Sequence, residues 1–567
     1  MAGFTVPRWL LLCIPLALAW PACATRQQGS GSPPAAATIQ VQLLAINDLH
    51  GQLEPPAGAN GRINAVEAGG VEYLATHLKQ AIAQQPNSLV VAAGDLVGAS
   101  PLVSSAFHDE PAIEALNAMG LSVTSVGNHE FDEGHDELLR LQRGGCHLRD
   151  GCQDTDPFDG AAFEYLAANV VRKAGGGALL PGTTVRTVGG VKVGFIGATT
   201  RETAEVVPAS VGRDLAFLDE AETANARAVE LKRQGVHAIV LLIHEGLRPG
   251  VGADADPNGC AARGGGLEQV VSRLSDDIAV VISGHSHAFY NCRIGQHLVT
   301  SASSFGRMLT RVSLEVDSAT GRVLRAAATN QVVTRDVARD PALSKIIGKY
   351  STLVQQTARA VVGSVVGDLK LVATPAGETP LGRVIADAQL AATNGPGRDG
   401  AAVAFMNRGG IRGDIVAGAG ASAERPSPVT YGDLYTVQPF GNQLMTFTMT
   451  GDMIKRLLEQ QFDNPAPGRA QVLQVSQGFA YRYRAAGPRG QRVDADSIQI
   501  NGRRITPADR VRVAASDFLR NGGDGFTVFG EGTDSLAVVG DIDALVDYFK
   551  ARSPISAPPE NRIRRTD

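Results

Sequence analysis

Five of the 11 histidines in this 567-residue chain share one kind of position, the end of an apolar run. Ile39–Ile46 stops at Asn47-Asp48-Leu49-His50-Gly51, and Ser88–Ala93 stops at Gly94-Asp95. Ser122–Val126 stops at Gly127-Asn128-His129-Glu130-Phe131-Asp132. Ala238–Ile243 ends in His244-Glu245-Gly246, and Ile278–Ile282 in Ser283-Gly284-His285-Ser286-His287. Imidazole and carboxylate together favour Zn, Mn, Fe, Co or Ni over Ca or Mg. Asp48-x-His50 lies on a tight turn, so both side chains reach one ion. Asp95 has two oxygens and can bridge two ions, and Asn128 adds a neutral oxygen. These ligands are too many for one tetrahedral site, which implies two ions. Two ions about 3.5–4 Å apart activate a water and neutralise phosphoryl oxygens in an in-line displacement. Each fragment alone has an ordinary reading: Asp-x-His and Gly-Asp as turns, Asn-His-Glu as a helix N-cap. The ordered set of five points to a metal centre.

Such residues need rigid elements to carry them. The runs named above, with Val191–Ile196, are rich in Val, Ile, Leu and Ala and about four to eight residues long, as strands are. Continuous apolar runs mark strands buried on both faces. The helical stretches Gly70–Gln84, Pro111–Met119 and Leu218–Gln234 alternate with them, which predicts a layered α/β architecture. Ligands bind at the carboxyl ends of strands in such sheets. Asp340–Ala360 reads as one polar-faced helix linking two halves. Beyond it the texture changes: helices over Leu381–Thr393 and Gly451–Gln461, strands over Ala402–Met406, Gln443–Met449 and Arg510–Ala515, and many Gly-rich turns. Alternation in Tyr481-Arg482-Tyr483-Arg484 predicts an exposed strand face. Residues 551–567, with Pro and charge, read as a loose tail.

Composition sets outer limits. Hydrophobic residues at 44% and charged residues at 19% exclude a disordered, collagen-like or coiled-coil chain. Lys plus Arg is 52 and Asp plus Glu 57, a net charge of −5, which speaks against a nucleic-acid coat but not against a local pocket for one nucleotide. Arg8 followed by the short apolar run Trp9–Trp20 predicts a secretory signal over 1–24. Ala22-Cys23-Ala24 fits a small-x-small cleavage site. Lipid attachment at Cys23 is the rival, with Trp20 where a Leu is usual. A Gly/Ser/Pro/Ala stretch makes 25–38 a flexible tether. Four cysteines remain, and four allow three pairings. Cys146 and Cys152 flank a short Gly-containing loop and read as a local pair, leaving Cys260 with Cys292. Disulfides agree with export.

Together, Asp48-x-His50, Gly94-Asp95, Gly127-Asn128-His129-Glu130, His244 and Gly284-His285-x-His287 resemble the calcineurin-like metallophosphoesterase signature. Asn407-Arg408-Gly409-Gly410-Ile411-Arg412, Pro439-Phe440-Gly441-Asn442 and the run from Phe518 to Gly525 resemble elements of 5′-nucleotidases. Nearly the whole mature chain is thus similar to the bacterial periplasmic 5′-nucleotidase/UDP-sugar hydrolase family. The resemblance implies a four-layer α/β/β/α metallophosphoesterase domain over 39–335, a linker helix over 336–360, and a mixed α+β nucleotide-binding domain over 361–550. It implies two divalent ions, Zn, Mn or Co. Asp48, His50, Asp95 and His287 would hold one; Asp95, Asn128, His244 and His285 would hold the other. Some members carry Gln where this chain has His287. His129 and Asp132 match the catalytic pair. Arg383, Asn407, Gly410 and Arg412 match the substrate pocket, Phe440 and Phe518 the base clamp, and Asp524 the ribose contact. For one further family arginine this chain has Pro380 or a neighbour. The expectation is an exported, periplasmic dimetal phosphohydrolase that releases phosphate from 5′-nucleotides, with nucleotide sugars as further candidate substrates, membrane-attached only if Cys23 is lipidated. Rivals on the same scaffold are a 2′,3′-cyclic-nucleotide phosphodiesterase and a thiosulfohydrolase; a surface protein with a decayed site is a third. Without the resemblance, Phe440 and Phe518 read as core residues and 521–525 as a plain loop. The sequence does not fix the oligomeric state.

Overall fold

The computed structural model describes residues 37–567 apart from 155, 249–255, 263, 395–399 and 464–469. The expected signal and most of the tether, with Cys23, lie outside the described residues. In strand Thr38–Ile46, Val41, Leu43 and Ala45 enter one core while Leu44 and Ile46 enter another. Side chains alternate across a strand, so a run apolar at every position needs a layer on each side. The fold supplies it. One six-stranded mixed sheet has the order Val323–Val332, Met308–Asp317, Thr38–Ile46, Ser88–Ala93, Leu121–Ser125, Glu164–Leu166, the last four parallel. The second has the order Phe289–Ile294, His297–Ala302, Ile278–Ser283, Ala238–His244, Val191–Thr199, Thr183–Val188, with the middle four parallel.

Val91, Ala93 and Val123 from the first sheet meet Phe195, Val240, Leu242 and Ile282 from the second in a shared inner core. Helices Val71–Gln84 and Glu110–Ala118 cover the outer face of the first sheet. Helices Glu220–Arg233 and Gly266–Val271 cover that of the second. This is the four-layer α/β/β/α arrangement. Both expected disulfides form, Cys146–Cys152 and Cys260–Cys292.

The expected linker helix is Pro341–Ala358, capped by Asp340, whose Oδ1 accepts the Ala342 N–H at 3.0 Å. It is docked rather than free. Leu343, Ile347 and Tyr350 lie in the core of the first domain, and the Tyr350 hydroxyl stands 2.7 Å from Glu114 Oε1.

The second domain is built on a five-stranded sheet ordered Gln474–Val475, Val403–Met406, Arg510–Ser516, Gln443–Thr450, Thr533–Gly540. The expected exposed strand face is present: Arg482 and Arg484 are exposed while the alternating Tyr481 and Tyr483 enter the core. One expectation needs correction here. The tail is not loose: Ile563–Arg565 pairs in parallel with Tyr481–Tyr483. Just before it, Arg562 is buried and grips Asp387 with both terminal nitrogens at 2.8 Å. Its Nη1 also donates to the Val475 carbonyl at 2.8 Å and the Arg383 carbonyl at 3.4 Å. Breaking a buried pair by removing one partner costs about 3–5 kcal/mol. Arg562→Ala should therefore lower stability by that order, read from the thermal or urea unfolding transition. An unchanged transition would show that the tail contributes nothing net.

Candidate active site

The parallel strands of both sheets deliver their carboxyl ends to one place, and the chain turns there on strained backbone. Asp48, His50, Asp95, His285 and His287 all have left-handed φ, between 50° and 71°. Such residues each cost about 1–3 kcal/mol and persist where the surroundings over-determine them. Two glycines allow the approach. A Cβ on Gly127 would lie 2.1 Å from Asp95 Oδ1, and one on Gly284 would lie 2.8 Å from both Asp48 Oδ2 and the Ala93 carbonyl.

Backbone carbonyls fix two imidazole tautomers. His50 Nδ1 donates to Gly98 O at 3.0 Å, and His244 Nδ1 to Ala93 O at 2.8 Å. A carbonyl only accepts, so the proton sits on Nδ1 and the Nε2 lone pair turns inward, as in metal-ligating histidines. His50 Nε2 then faces His287 Nε2 at 3.0 Å and Asp95 Oδ2 at 3.7 Å. His287 Nε2 is 3.3 Å from Asp48 Oδ1. His244 Nε2 is buried 2.9 Å from Asp95 Oδ2 and makes no hydrogen bond. His285 Nδ1 lies 3.1 Å from Asn128 Oδ1.

Electrostatics agree with the geometry. Burial lowers His244, but the Asp95 charge outweighs it and raises the imidazole: the space between Nε2 and Asp95 draws in positive charge, whether a proton or an ion. Burial opposes ionisation of Asp95 as well, yet His244, His129 and His50 hold its carboxyl well below the usual range. Burial, then the Arg412 charge, holds His50 well below the ordinary histidine value and so neutral. Nitrogen lone pairs and carboxylate oxygens crowded in a buried space suit divalent transition-metal ions. The donor sets are Asp48, His50 and His287 on one side, and Asp95, His244 and His285 on the other. Asp95 also groups with His50 and His129, which joins the two sides.

Two residues that the sequence reading quoted but gave no role hold this arrangement. Asn47 donates to Asp48 Oδ2 at 2.6 Å and accepts the Ala302 N–H at 2.8 Å. The buried Glu130 carboxylate accepts the N–H groups of Asp95, Leu96 and Gly127 at 2.9, 2.8 and 2.5 Å. Their only sequence signal was their place inside the motifs. His129 stands beside the cluster. Its Nδ1 is 2.8 Å from Asp132 Oδ2. Burial lowers its pKa, but Asp132 and Asp95 prevail and raise it.

The second domain closes the other side. Arg412 Nη2 is 3.4 Å from His50 Nε2, and the Arg412 guanidinium lies 5.8 Å from the centre of the Phe440 ring. The same ring stacks at 5.8 Å on His129. Asn407 Nδ2 donates to the buried Asp524 Oδ2 at 2.7 Å. A Cβ on Gly523 would lie 2.5 Å from the Phe518 ring, so only glycine leaves that ring its place. Asn128, His129, Asp132, His285, Asn407, Gly410, Arg412, Phe440, Phe518 and Asp524 line one cavity of about 490 Å³, a ligand-sized volume. Arg383 is the exception and corrects the expected phosphate contact. It is buried in helix Pro380–Ala392, faces Glu378 and Glu560 at 4.0 Å, and does not line this cavity.

Comparison with known proteins fits this architecture. Residues 41–289 match the model of the calcineurin-like phosphoesterase family, and residues 356–531 that of the 5′-nucleotidase C-terminal domain. The chain is 32% identical to the Listeria monocytogenes cell wall protein Lmo0130, over 94% of this chain and 70% of that protein. It is also 32% identical to the Bacillus subtilis endonuclease YhcR, over 93% of this chain but only 41% of that longer protein. Among solved structures, a 5′-nucleotidase precursor from Thermus thermophilus superposes with a TM-score of 0.74 at 26% identity, covering 93% of this chain and 100% of that one. The chain belongs to the calcineurin-like phosphoesterases that carry a C-terminal 5′-nucleotidase domain.

Because Asp95 groups with His244 and His285 on one side and with His50 on the other, Asp95→Asn should strip more divalent metal than any other single substitution in the cluster. Metal analysis of purified variants checks this. Parent-like metal content in Asp95→Asn would refute it.

Proposed function

We propose that this chain is an exported, dimetal phosphohydrolase that releases phosphate from 5′-nucleotides. The observation that carries the reading is the position of Arg412. Its guanidinium touches the donor cluster through His50 and also lies over Phe440. Phosphate recognition, metal ligation and an aromatic platform thus share one cavity, which is what a molecule with a phosphate at one end and a base at the other requires. Two disulfides support an oxidising compartment, hence export to the periplasm or cell surface.

In this reading Asp48, His50, Asp95 and His287 hold one ion, and Asp95, Asn128, His244 and His285 the other, with Zn, Mn or Co the candidates. Bound there, divalent ions supply an oxygen nucleophile at neutral pH and neutralise phosphoryl charge. The residues of the chain do the rest. Arg412 offers a planar fork to the phosphoryl oxygens. Asp132 orients His129 and favours its protonated form, so His129 gives its Nε2 proton to O5′ as the P–O5′ bond breaks. The water oxygen stays on phosphorus and the nucleoside leaves as an alcohol. Phe440 and Phe518 hold the base, Asp524 and Asn407 meet the ribose hydroxyls, and Gly410 lets backbone approach the ligand.

The deciding experiment is hydrolysis of AMP, UMP, ATP, UDP-glucose and 2′,3′-cyclic nucleotides, each with Mn, Co, Zn or no metal, with nucleoside, nucleotide and phosphate products separated and quantified. Metal-dependent turnover of 5′-monophosphates is expected, and UDP-glucose cleavage would extend the reading to nucleotide sugars. Faster turnover of the cyclic substrate than of AMP would replace it with the phosphodiesterase reading.

His129→Ala should keep the bound metal and lower kcat by about 10²–10⁴, the usual worth of a positioned acid or base. Loss of metal would instead make His129 a ligand. Phe518→Ala isolates base recognition more cleanly than Phe440→Ala, because Phe440 also contacts Arg412 and His129. Stacking contributes roughly 1–3 kcal/mol per base, so kcat/KM for AMP should fall about 5- to 150-fold. Para-nitrophenyl phosphate, with no base to stack, should change far less. Equal losses on both substrates, in a variant with an unchanged melting curve, would remove Phe518 from the base clamp.

A further inference from the structure

We infer that Asp517 is a positioning residue for base recognition: its carboxylate joins the turn that carries Phe440 to the turn that carries Phe518. This rests on the nucleotide reading above and names what sets the relation between the two rings. Both rings line the cavity, but they reach it from different parts of the second domain. Phe440 lies just before strand Gln443–Thr450, and Phe518 just after strand Arg510–Ser516. The two strands are antiparallel neighbours whose paired register ends with Leu444 opposite Ser516. One step further, no backbone pair ties the two turns together.

Asp517 takes that step with its side chain. Its Oδ1 accepts the Gln443 N–H at 3.2 Å and the Phe518 N–H at 2.9 Å. One oxygen thus holds an N–H from each turn, and an ionised carboxylate makes stronger bonds to such groups than a neutral acceptor does. An acidic residue that opens a helix is ordinarily explained by the positive helix N-terminus. Here the cap of helix Asp517–Arg520 is already Ser516, whose Oγ accepts the Leu519 N–H at 3.2 Å. Asp517 is free to turn Oδ1 toward the neighbouring strand instead. Burial raises its pKa, and the N–H groups of Phe518 and Gln443 counter that rise.

A second aspartate restrains the Phe440 turn from the other side. Strand Thr533–Gly540, the other neighbour of Gln443–Thr450, runs straight into helix Asp541–Arg552. The buried Asp541 accepts from Asn442 Nδ2 at 3.1 Å and donates its own N–H to the Asn442 carbonyl at 2.9 Å. Asn442 and Gln443 are therefore gripped from both flanking strands, by one aspartate each. Only Gly441 stands between this grip and Phe440, on left-handed backbone with φ 63°. Of the two aspartates, only Asp517 bonds to both aromatic-bearing turns, so the relation of the rings depends on it. That relation has little tolerance, because a gap of about 0.5–1 Å already forfeits a quarter to a half of a dispersion contact.

The test separates binding of the base from the chemistry. Full-length Asp517→Ala is compared with the parent on AMP and on para-nitrophenyl phosphate, with a melting curve as the folding control. The near-isosteric Asp517→Leu takes its place if the alanine variant fails to fold. KM for AMP should rise about 3- to 10-fold, part of the stacking effect of one base, with kcat within about twofold. Para-nitrophenyl phosphate should change far less. Asp517→Asn keeps an oxygen acceptor in place and should bring KM for AMP back near the parent value. Added to Phe518→Ala, Asp517→Ala should cost less than it does alone, because residues that act through one contact are not additive. Parent-like KM for AMP in a folded variant, equal losses on both substrates, or full additivity with Phe518→Ala would overturn the inference and leave the base clamp standing. If Phe518→Ala itself spares AMP, the clamp reading falls and this inference with it.

Discussion

Asp95 lies buried with His244 at 2.9 Å on one side and His50 at 3.7 Å on the other, each turning a lone pair toward it. Burying such charge without compensation is costly, and the arrangement is self-repelling until positive charge enters. The neighbouring structure follows from holding it still. Glu130 fixes the Asp95 turn through three backbone N–H groups, Asn47 fixes Asp48, and backbone carbonyls fix two imidazoles. The left-handed backbone at five of the donor residues is tolerated because two tightly packed sheets converge on it.

The second domain is arranged around the same constraint. It brings Arg412 against the donor cluster, where burial lowers the arginine pKa and the Asp95 and Asp132 charges counter it. One guanidinium therefore ties the polarity of the two domains together. Phe440, between Arg412 and His129, makes the aromatic surface continuous with the charged one. Neither domain alone makes the cavity.

How much was legible in the sequence depended on whether a signal was local. Strands buried on both faces declared themselves as unbroken apolar runs, and the donors followed directly at their ends. Ser88–Ala93 begins and ends where the sequence placed it. The disulfide pairing was legible because Cys146 and Cys152 flank so short a loop. Arg383 was not: which way a residue points from a helix buried nearly all round is set by packing, and Arg383 turns toward Glu378 and Glu560 rather than into the cavity. The tail was misread because Ile563–Arg565 has a reason to be a strand only beside Tyr481–Tyr483, some 80 positions earlier. Glu130 lay in full view inside a motif, but its task of receiving N–H groups from Asp95 and Leu96 exists only once two strands lie side by side.

The docking of helix Pro341–Ala358 bears on how the two halves are best exchanged with those of relatives. By position it connects them, but by burial it is part of the first: Tyr350 rests against Phe107 at 4.7 Å and Leu343 is wholly enclosed. A chimera joined before the helix would leave an apolar socket open in one parent and carry an unmatched plug from the other. A junction at Arg359 or Ala360, where the chain leaves the helix and the Ala360 carbonyl accepts the Tyr431 N–H at 2.9 Å, keeps plug and socket from the same source.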